Sequence, residues 1–326
     1  MRSVLAVSSP RLDLAEAGGR SDPIGLSSAV DPARPIPGSE PSAAEAGPGA
    51  RTIRSHLEDP RAADVQAALA GGELSLAYQP IVSAATGAIS GCEALLRWNH
   101  PILGPVPPAS FVPLAETTGA ITPIGAWVLD TACRQAASWP GTGRVSVNVS
   151  PIQMQEPGFP ARVAAALGAS GLATDRLELE LTESVLMRDP AAVLRNIMTL
   201  RALGVSIALD DFGTGFSSLG YLQQLVFDRI KIDRSFIGGL SGGGTSRFLI
   251  RTMHDIAHHF GMAVTAEGIE TEDEARTLRE LGSAELQGFL FGPPLPGDAV
   301  ASLLREQGPR RDGAARQPRS SGPAAP

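Results

Sequence analysis

Ser206-Ile207-Ala208-Leu209-Asp210-Asp211-Phe212-Gly213-Thr214-Gly215-Phe216-Ser217-Ser218 decides how this chain is read. Residues alternate in its first half: Ile207 and Leu209 point one way, Ser206, Ala208 and Asp210 the other, which is the parity of a strand. Two adjacent carboxylates stand where the apolar run stops, and a glycine-rich loop follows. Neighbouring aspartates repel unless a cation lies between them, and a divalent metal commonly fills that role. In isolation an Asp-Asp pair is an Asx-type turn closing a strand. Here the same construction recurs along the chain, each time with a chemically useful polar residue.

Outward from that stretch, strand-like and helix-like segments alternate. Strands are expected at 144–150, 176–182, 206–210, 229–233, 263–267 and 285–291, and helices at 121–139, 158–170, 190–203, 245–260, 272–281 and 297–305, with a short one near 219–225. Before them come a short helix at 64–70 and two strands, 74–82 and 89–98, joined through Thr86-Gly87 as an antiparallel pair. Eight strands with interleaved helices predict an α/β fold, a (β/α)8 TIM-like barrel with an antiparallel first strand pair. The competing open doubly wound sheet lacks the Gly-x-Gly-x-x-Gly turn it would need.

The 326 residues are 43% hydrophobic and 19% charged, enough for one large core. Residues 1–55 and 307–326 are rich in Pro, Gly, Ser and Ala without periodicity, so they are expected to be disordered arms around a barrel at 56–306. A net charge of −7 gives no reason to expect DNA or RNA binding. The two cysteines, Cys92 and Cys133, have neither metal-type spacing nor a disulfide framework. The apolar run at 1–9 is too short for a signal peptide, and no run approaches a membrane span. A cytoplasmic location is therefore expected.

Parity sorts the other strands as it sorts the first. Val145, Val147 and Val149 share one face, with Ser146, Asn148 and Ser150 opposite. Leu177, Leu179 and Leu181 oppose Glu178 and Glu180, while Ile230 and Ile232 oppose Arg229, Lys231 and Asp233. Glu267 falls opposite Val264 and Ala266. If the apolar face meets the outer helices, Glu93, Asn148, Glu180, Asp210, Lys231 and Glu267 converge at the carboxyl ends of successive strands. With Asp211 they form a hard-oxygen set suited to Mg²⁺ or Mn²⁺ rather than zinc. The acids suffice for two ions sharing a bridging carboxylate, for which Asp210 is the natural choice. The bland alternative is a salt-bridge network filling the barrel. Lys231 is the single lysine among 27 basic residues.

Taken together, Tyr78-Gln79-Pro80, Glu93-Ala94-Leu95, Glu180-Leu181-Thr182-Glu183, Leu209 to Gly215, Lys231-Ile232-Asp233-Arg234, Ala266-Glu267-Gly268-Ile269-Glu270 and Gln287-Gly288-Phe289 resemble the EAL-domain family over about residues 60 to 300. That resemblance implies a phosphodiesterase that opens cyclic di-GMP to linear pGpG with two Mg²⁺ or Mn²⁺ ions. Glu93, Asn148, Glu180 and Asp210 would hold one ion, and Asp210, Asp211 and Glu267 the second. Lys231 would contact the attacking water or the scissile phosphate; Gln79, Arg97, Glu270 and Gln287 would make substrate contacts. Glu183 would brace the loop at 212–218, near which the family places a homodimer contact. Phe216 stands where the family usually has Tyr, and Pro293 where Arg or Lys is common.

The alternatives are a receptor that binds cyclic di-GMP without cleaving it, as members that have lost ligands do, and a two-carboxylate barrel glycosidase, which the surplus of acids and Lys231 disfavour. No regulatory partner is legible. His254, His258 and His259 are expected on a solvated helix face, Cys92 and the three tryptophans in the core, and Gly242 to Gly244 in a loop.

Overall fold

The computed structural model describes residues 60–187, 189–214, 227–240 and 244–307. The expected helix near 219–225, Gly242 and Gly243 of the glycine run, Phe216 and both arms lie outside them, Gln307 excepted; Gly244, expected in a loop, begins a helix instead. A helix, α1 (Ala62–Ala68), precedes the hairpin of β1 (Leu74–Ser83) and β2 (Ile89–His100). A short β3 (Gly104–Val106), α2 (Pro108–Thr118) and α3 (Ile121–Ala137) lead into the alternating part. That part runs β4 (Arg144–Asn148), α4 (Pro151–Gln155), α5 (Phe159–Ser170), β5 (Leu177–Thr182), α6 (Pro190–Ala202), β6 (Ser206–Phe212) and β7 (Arg229–Ile232). It continues through α7 (Arg234–Ile237), α8 (Gly244–His259), β8 (Ala263–Ala266), α9 (Glu272–Leu281), β9 (Glu285–Gln287) and α10 (Gly297–Glu306).

Pairing in the order β1-β9-β8-β7-β6-β5-β4-β2, together with β1 on β2, closes an eight-stranded barrel; β3 adds to β2 outside it. The closure rules out an open doubly wound sheet. Strand β1 runs antiparallel to both its neighbours, and the remaining pairs around the barrel are parallel. Val145, Val147, Leu177, Leu179, Leu181, Ile207, Leu209, Ile230 and Ile232 are buried in one hydrophobic core with the helices. Helix α3 supplies Ile121, Ile124, Val128, Ala132 and Ala136 at three- and four-residue spacing, the stripe a helix needs to lie on a sheet. Each buried Ile or Val contributes roughly 1.5–3 kcal/mol, and the alanines less.

Several expectations need correction. Helix α2 is not among the expected elements, and Pro113 lies inside it. Pro108 stands at the start of the helix, where its missing N–H costs nothing. Helix α4 begins with a Ser150-x-x-Gln153 capping box, a signal visible in the sequence. His254 is buried, with Nδ1 2.8 Å from the Ile250 carbonyl oxygen and Nε2 3.0 Å from Ser283 Oγ. Only His258 and His259 are exposed. Gln307, expected in the tail, accepts a hydrogen bond from the Ile89 amide at 2.9 Å. Cys92, Trp98 and Trp139 are core residues as expected, whereas Trp127 is only half-buried against that core. Among the described residues no helix is long and apolar enough to cross a membrane.

Strand β9 stops at Gln287, not 291, because the chain turns at Gly288, whose carbonyl accepts from Phe291 and Gly292. A Cβ on Gly288 would overlap the carbonyl oxygen and amide nitrogen of Ile269. Gly288→Ala is therefore expected to destabilise the fold by about 1–3 kcal/mol. Gly168→Ala, in α5 with open space around it, is expected to stabilise by roughly 0.5–1 kcal/mol. Urea midpoints of the two variants test this, and equal midpoints would contradict the close approach.

Candidate active site

Lys231 is the centre of the barrel mouth. It sits on β7 with its side chain 1% exposed, and its Nζ lies 2.7 Å from Glu180 Oε2, 2.6 Å from Glu267 Oε1, 3.5 Å from Asp210 Oδ1 and 3.6 Å from Glu93 Oε2. Strands β2, β5 and β6 deliver Glu93, Glu180 and Asp210, and Glu267 stands one residue past β8. Asn148, at the exposed end of β4, donates Nδ2 to Glu93 Oε1 at 2.7 Å, which leaves its amide oxygen available to the mouth. The inward parity predicted for these side chains therefore holds, and they meet at one point.

Four carboxylates around one ammonium are far from neutral. Two unit charges about 5 Å apart repel by roughly 3 kcal/mol at an effective dielectric constant near 20. The titration behaviour follows. Burial pushes the Glu180 carboxyl well above the ordinary range, Lys231 pulls it down, and Glu93, Asp210 and Glu267 push it up again. Burial, with the charges of Asp210 and Glu93, lifts Glu267 to about 8 against the pull of Lys231. Burial also acts on Glu93, but Lys231 and hydrogen bonds from Gln287 and Asn148 outweigh it and hold that carboxyl below the usual range. Burial would push the Lys231 ammonium down, yet Asp210, Glu180, Glu267 and Glu93 hold it well above its ordinary value.

Asp211 is the single non-glycine residue with positive φ, at 55°, among the described residues. A left-handed aspartate costs energy that the surroundings must hold in place. Its amide donates to Asp210 Oδ1 at 3.0 Å, and its carbonyl accepts from Thr214 Oγ1 at 2.8 Å. Glu183 Oε1 accepts from the Gly213 amide at 2.8 Å, so the predicted loop support is a backbone contact at the start of that loop. Burial and the neighbouring Asp210 raise the Asp211 carboxyl.

The predicted substrate contacts divide. Gln79 stands opposite Glu93 in the β1–β2 register and accepts from Gln287 Nε2 at 3.3 Å. Gln287 is buried and also donates to Glu93 Oε2 at 2.7 Å, so it belongs to the carboxylate cluster. Arg97 lines a cavity of about 480 Å³ with Asn148, Glu116 and Ser150. Glu116 accepts from Ser150 Oγ at 2.6 Å; Glu116 was not singled out in the sequence, because its helix was not among the expected elements, and Ser150 was placed on the inward polar face without a role. Glu270 is exposed on the loop before α9 and is not drawn into the cluster.

The donor set fits hard divalent cations. It consists of carboxylates and an amide oxygen, its excess negative charge calls for cationic compensation, and Glu180 Oε1 is buried with no hydrogen-bond partner among the described residues. The four acids lean on Lys231, and no ready-made cage of three or more acidic, His or Cys side chains is found among the described residues.

Comparison with known proteins agrees with this geometry. An uncharacterized signaling protein of Caulobacter vibrioides is 46% identical over 239 residues, 73% of this chain and 30% of its own length. The bifunctional diguanylate cyclase/cyclic di-GMP phosphodiesterase MucR of Pseudomonas aeruginosa is 43% identical over 245 residues, 74% of this chain and 36% of its own. The chain thus spans about a third of the length of these curated relatives. Among solved structures, the MucR phosphodiesterase in complex with c-di-GMP superposes with a TM-score of 0.70 at 42% identity, over 73% of this chain and 98% of that one. The FimX EAL domain of Pseudomonas aeruginosa, bound to c-di-GMP, gives 0.66 at 25% identity, over 72% and 95%. The EAL domain model matches residues 62–294, and the chain belongs to the EAL domain family.

Proposed function

We propose that this protein is an active phosphodiesterase that hydrolyses cyclic di-GMP to linear pGpG with two divalent ions, Mg²⁺ or Mn²⁺. The observation that carries the reading is the convergence of Glu93, Glu180, Asp210 and Glu267 within 3.6 Å of Lys231 Nζ, with Asn148 and Asp211 beside them. Every ligand-type side chain of the family pattern is present, which favours an enzyme over a silent receptor. Glu93, Asn148, Glu180 and Asp210 would hold one ion, and Asp210, Asp211 and Glu267 the other. When bound, the ions supply Lewis acidity toward the phosphate and lower the pKa of water.

The chain's own residues supply the rest. Lys231 presents the one ammonium in the cluster, placed to orient the attacking water or to offset charge on a phosphate oxygen. Gln287 and Asn148 fix both oxygens of Glu93, so that carboxylate cannot swing away. Arg97, in the adjoining cavity, offers a guanidinium to an anionic nucleotide. Gln79 and Glu270 would contact the same ligand from opposite sides of β9. A cytoplasmic homodimer, braced by Glu183 through the loop after β6, belongs to this reading.

The direct test is incubation with cyclic di-GMP and Mg²⁺ or Mn²⁺, with products separated chromatographically. Linear pGpG is expected, and Ca²⁺ is expected to inhibit, because a larger, flexibly coordinated ion spoils a two-ion geometry. Binding without cleavage in both metals would assign a receptor instead. Asp210→Asn is expected to abolish turnover more completely than Asp211→Asn, since a bridging carboxylate serves both ions and an amide offers one neutral oxygen; equal residual rates would refute the bridge.

Lys231→Arg preserves charge but replaces a compact ammonium by a wide planar group in a fully buried position. It is expected to lower kcat by about 10²–10⁴, with near-ultraviolet circular dichroism checking that the fold survives. Turnover within a few-fold of wild type would mean that positive charge alone suffices.

A further inference from the structure

Beneath the carboxylate cluster the barrel holds a second charged layer. Arg144 on β4 donates Nε to Glu178 Oε1 on β5 at 3.0 Å and Nη1 to Glu285 Oε1 on β9 at 2.6 Å; its Nη2 donates to Glu285 Oε2 as well. Arg229 on β7 donates Nε to Glu178 Oε2 at 2.9 Å, and its Nη1 lies 2.8 Å from Glu285 Oε2. Ser146 Oγ donates to Glu178 Oε1 at 2.8 Å, and Thr265 Oγ1 on β8 accepts from Arg229 Nη1 at 3.0 Å. Two guanidinium and two carboxylate groups thus form a closed, electrically neutral ring. Strand β6 sets Ala208 opposite Arg229, and that small side chain leaves room for Arg229 to reach past β6 to Glu178.

Strands β4 and β9 are not neighbours in the barrel, so the Arg144–Glu285 pair is a strut across the lumen. Filling the barrel does not require it. Aliphatic layers do that in other barrels, and a buried ion network is no more stabilising than apolar residues of similar volume. What a bidentate guanidinium adds is a set distance and angle between the elements it joins. The ring's members are also spaced to use that property. On one face of each strand, Glu178, Arg229 and Glu285 lie two residues before Glu180, Lys231 and Gln287; Arg144 lies four before Asn148, and Ser146 and Thr265, which hydrogen-bond to the ring, lie two before Asn148 and Glu267. The layer above sets four carboxylates around the single Lys231 ammonium, a net negative charge that pushes the strand ends apart; the layer below is neutral, so it offers no countercharge, only geometry.

We propose that Arg144, Glu178, Arg229 and Glu285 are positioning residues, a strut that holds the strand ends so that the acidic cluster keeps the spacing divalent cations need. The proposal rests on the metal-dependent reading above.

The test uses the full chain and two variants, with Mn²⁺ alone titrated by calorimetry and cyclic di-GMP turnover measured separately. The double variant Arg144→Met/Glu285→Leu replaces the strut by apolar volume. Its thermal midpoint is expected to stay near wild type, while the Mn²⁺ dissociation constant weakens at least about tenfold and kcat falls about 10- to 100-fold with KM within about threefold. Arg144→Lys keeps the charge but cannot bridge Glu178 and Glu285 together; it is expected to move the same readouts less, and it decides the matter if the double variant does not fold. Unchanged Mn²⁺ affinity in a folded variant overturns the proposal and leaves the phosphodiesterase reading intact. Wild type that binds Mn²⁺ without turnover, with affinity lost in the variants, does the reverse.

Discussion

The structure depends on how a buried ammonium is held among four carboxylates. Lys231 Nζ is the one cation that Glu93, Glu180, Asp210 and Glu267 share, and desolvating that many charges is costly unless each is paired. A barrel can bear this arrangement because every strand end points to the same place, so charges from four strands meet without any loop having to fold over them. The remaining imbalance is negative. Under the proposed metal-binding role that imbalance, which would be a defect in a purely structural interior, is what a bound cation would offset.

Around that centre the polar contacts grade from fixed to open. Glu93 is held at both oxygens, Glu180 at one, and Asp211 is held through its backbone in a left-handed conformation. The graded tethering matters for chemistry, because a ligand locked by its neighbours loses less freedom when it binds an ion. Gly213, two residues on and just past β6, lies against Met253 and Phe236, so α7 and α8 pack on the start of the loop that follows Asp211.

Below lies the neutral ring, and the contrast between the layers bears on the salt-bridge alternative raised from the sequence. Both kinds of layer exist in one barrel. Glu178 is brought down to about 2 by Arg144 and Arg229, which outweigh its burial, whereas Glu180, two residues on, is pushed well up. Identical residue types on one face of one strand behave oppositely because one has two guanidinium partners and the other has three carboxylate neighbours. Residue type and parity were the same, so neighbours from distant strands make the difference.

The order of strands and helices, the (β/α)8 architecture and the inward direction of Asn148, Glu180, Asp210 and Lys231 were all legible in the sequence, because alternation with period two is a local property of the backbone. Helix α4 had a readable capping box, while α2 carries Pro108 at its start, where no N–H is needed, and Pro113 inside it, where one intrahelical hydrogen bond is given up. Tertiary structure alone decided which inward residues touch. The insertion of β1 between β2 and β9 closes the sheet, and Arg144 reaches Glu285, 141 residues away, only because closure puts β4 and β9 across a shared lumen. Such pairings depend on strand order and stagger around the barrel, quantities that no single strand carries. The same holds for the hydrogen bond from Gln287 to Glu93, which neither strand shows by itself.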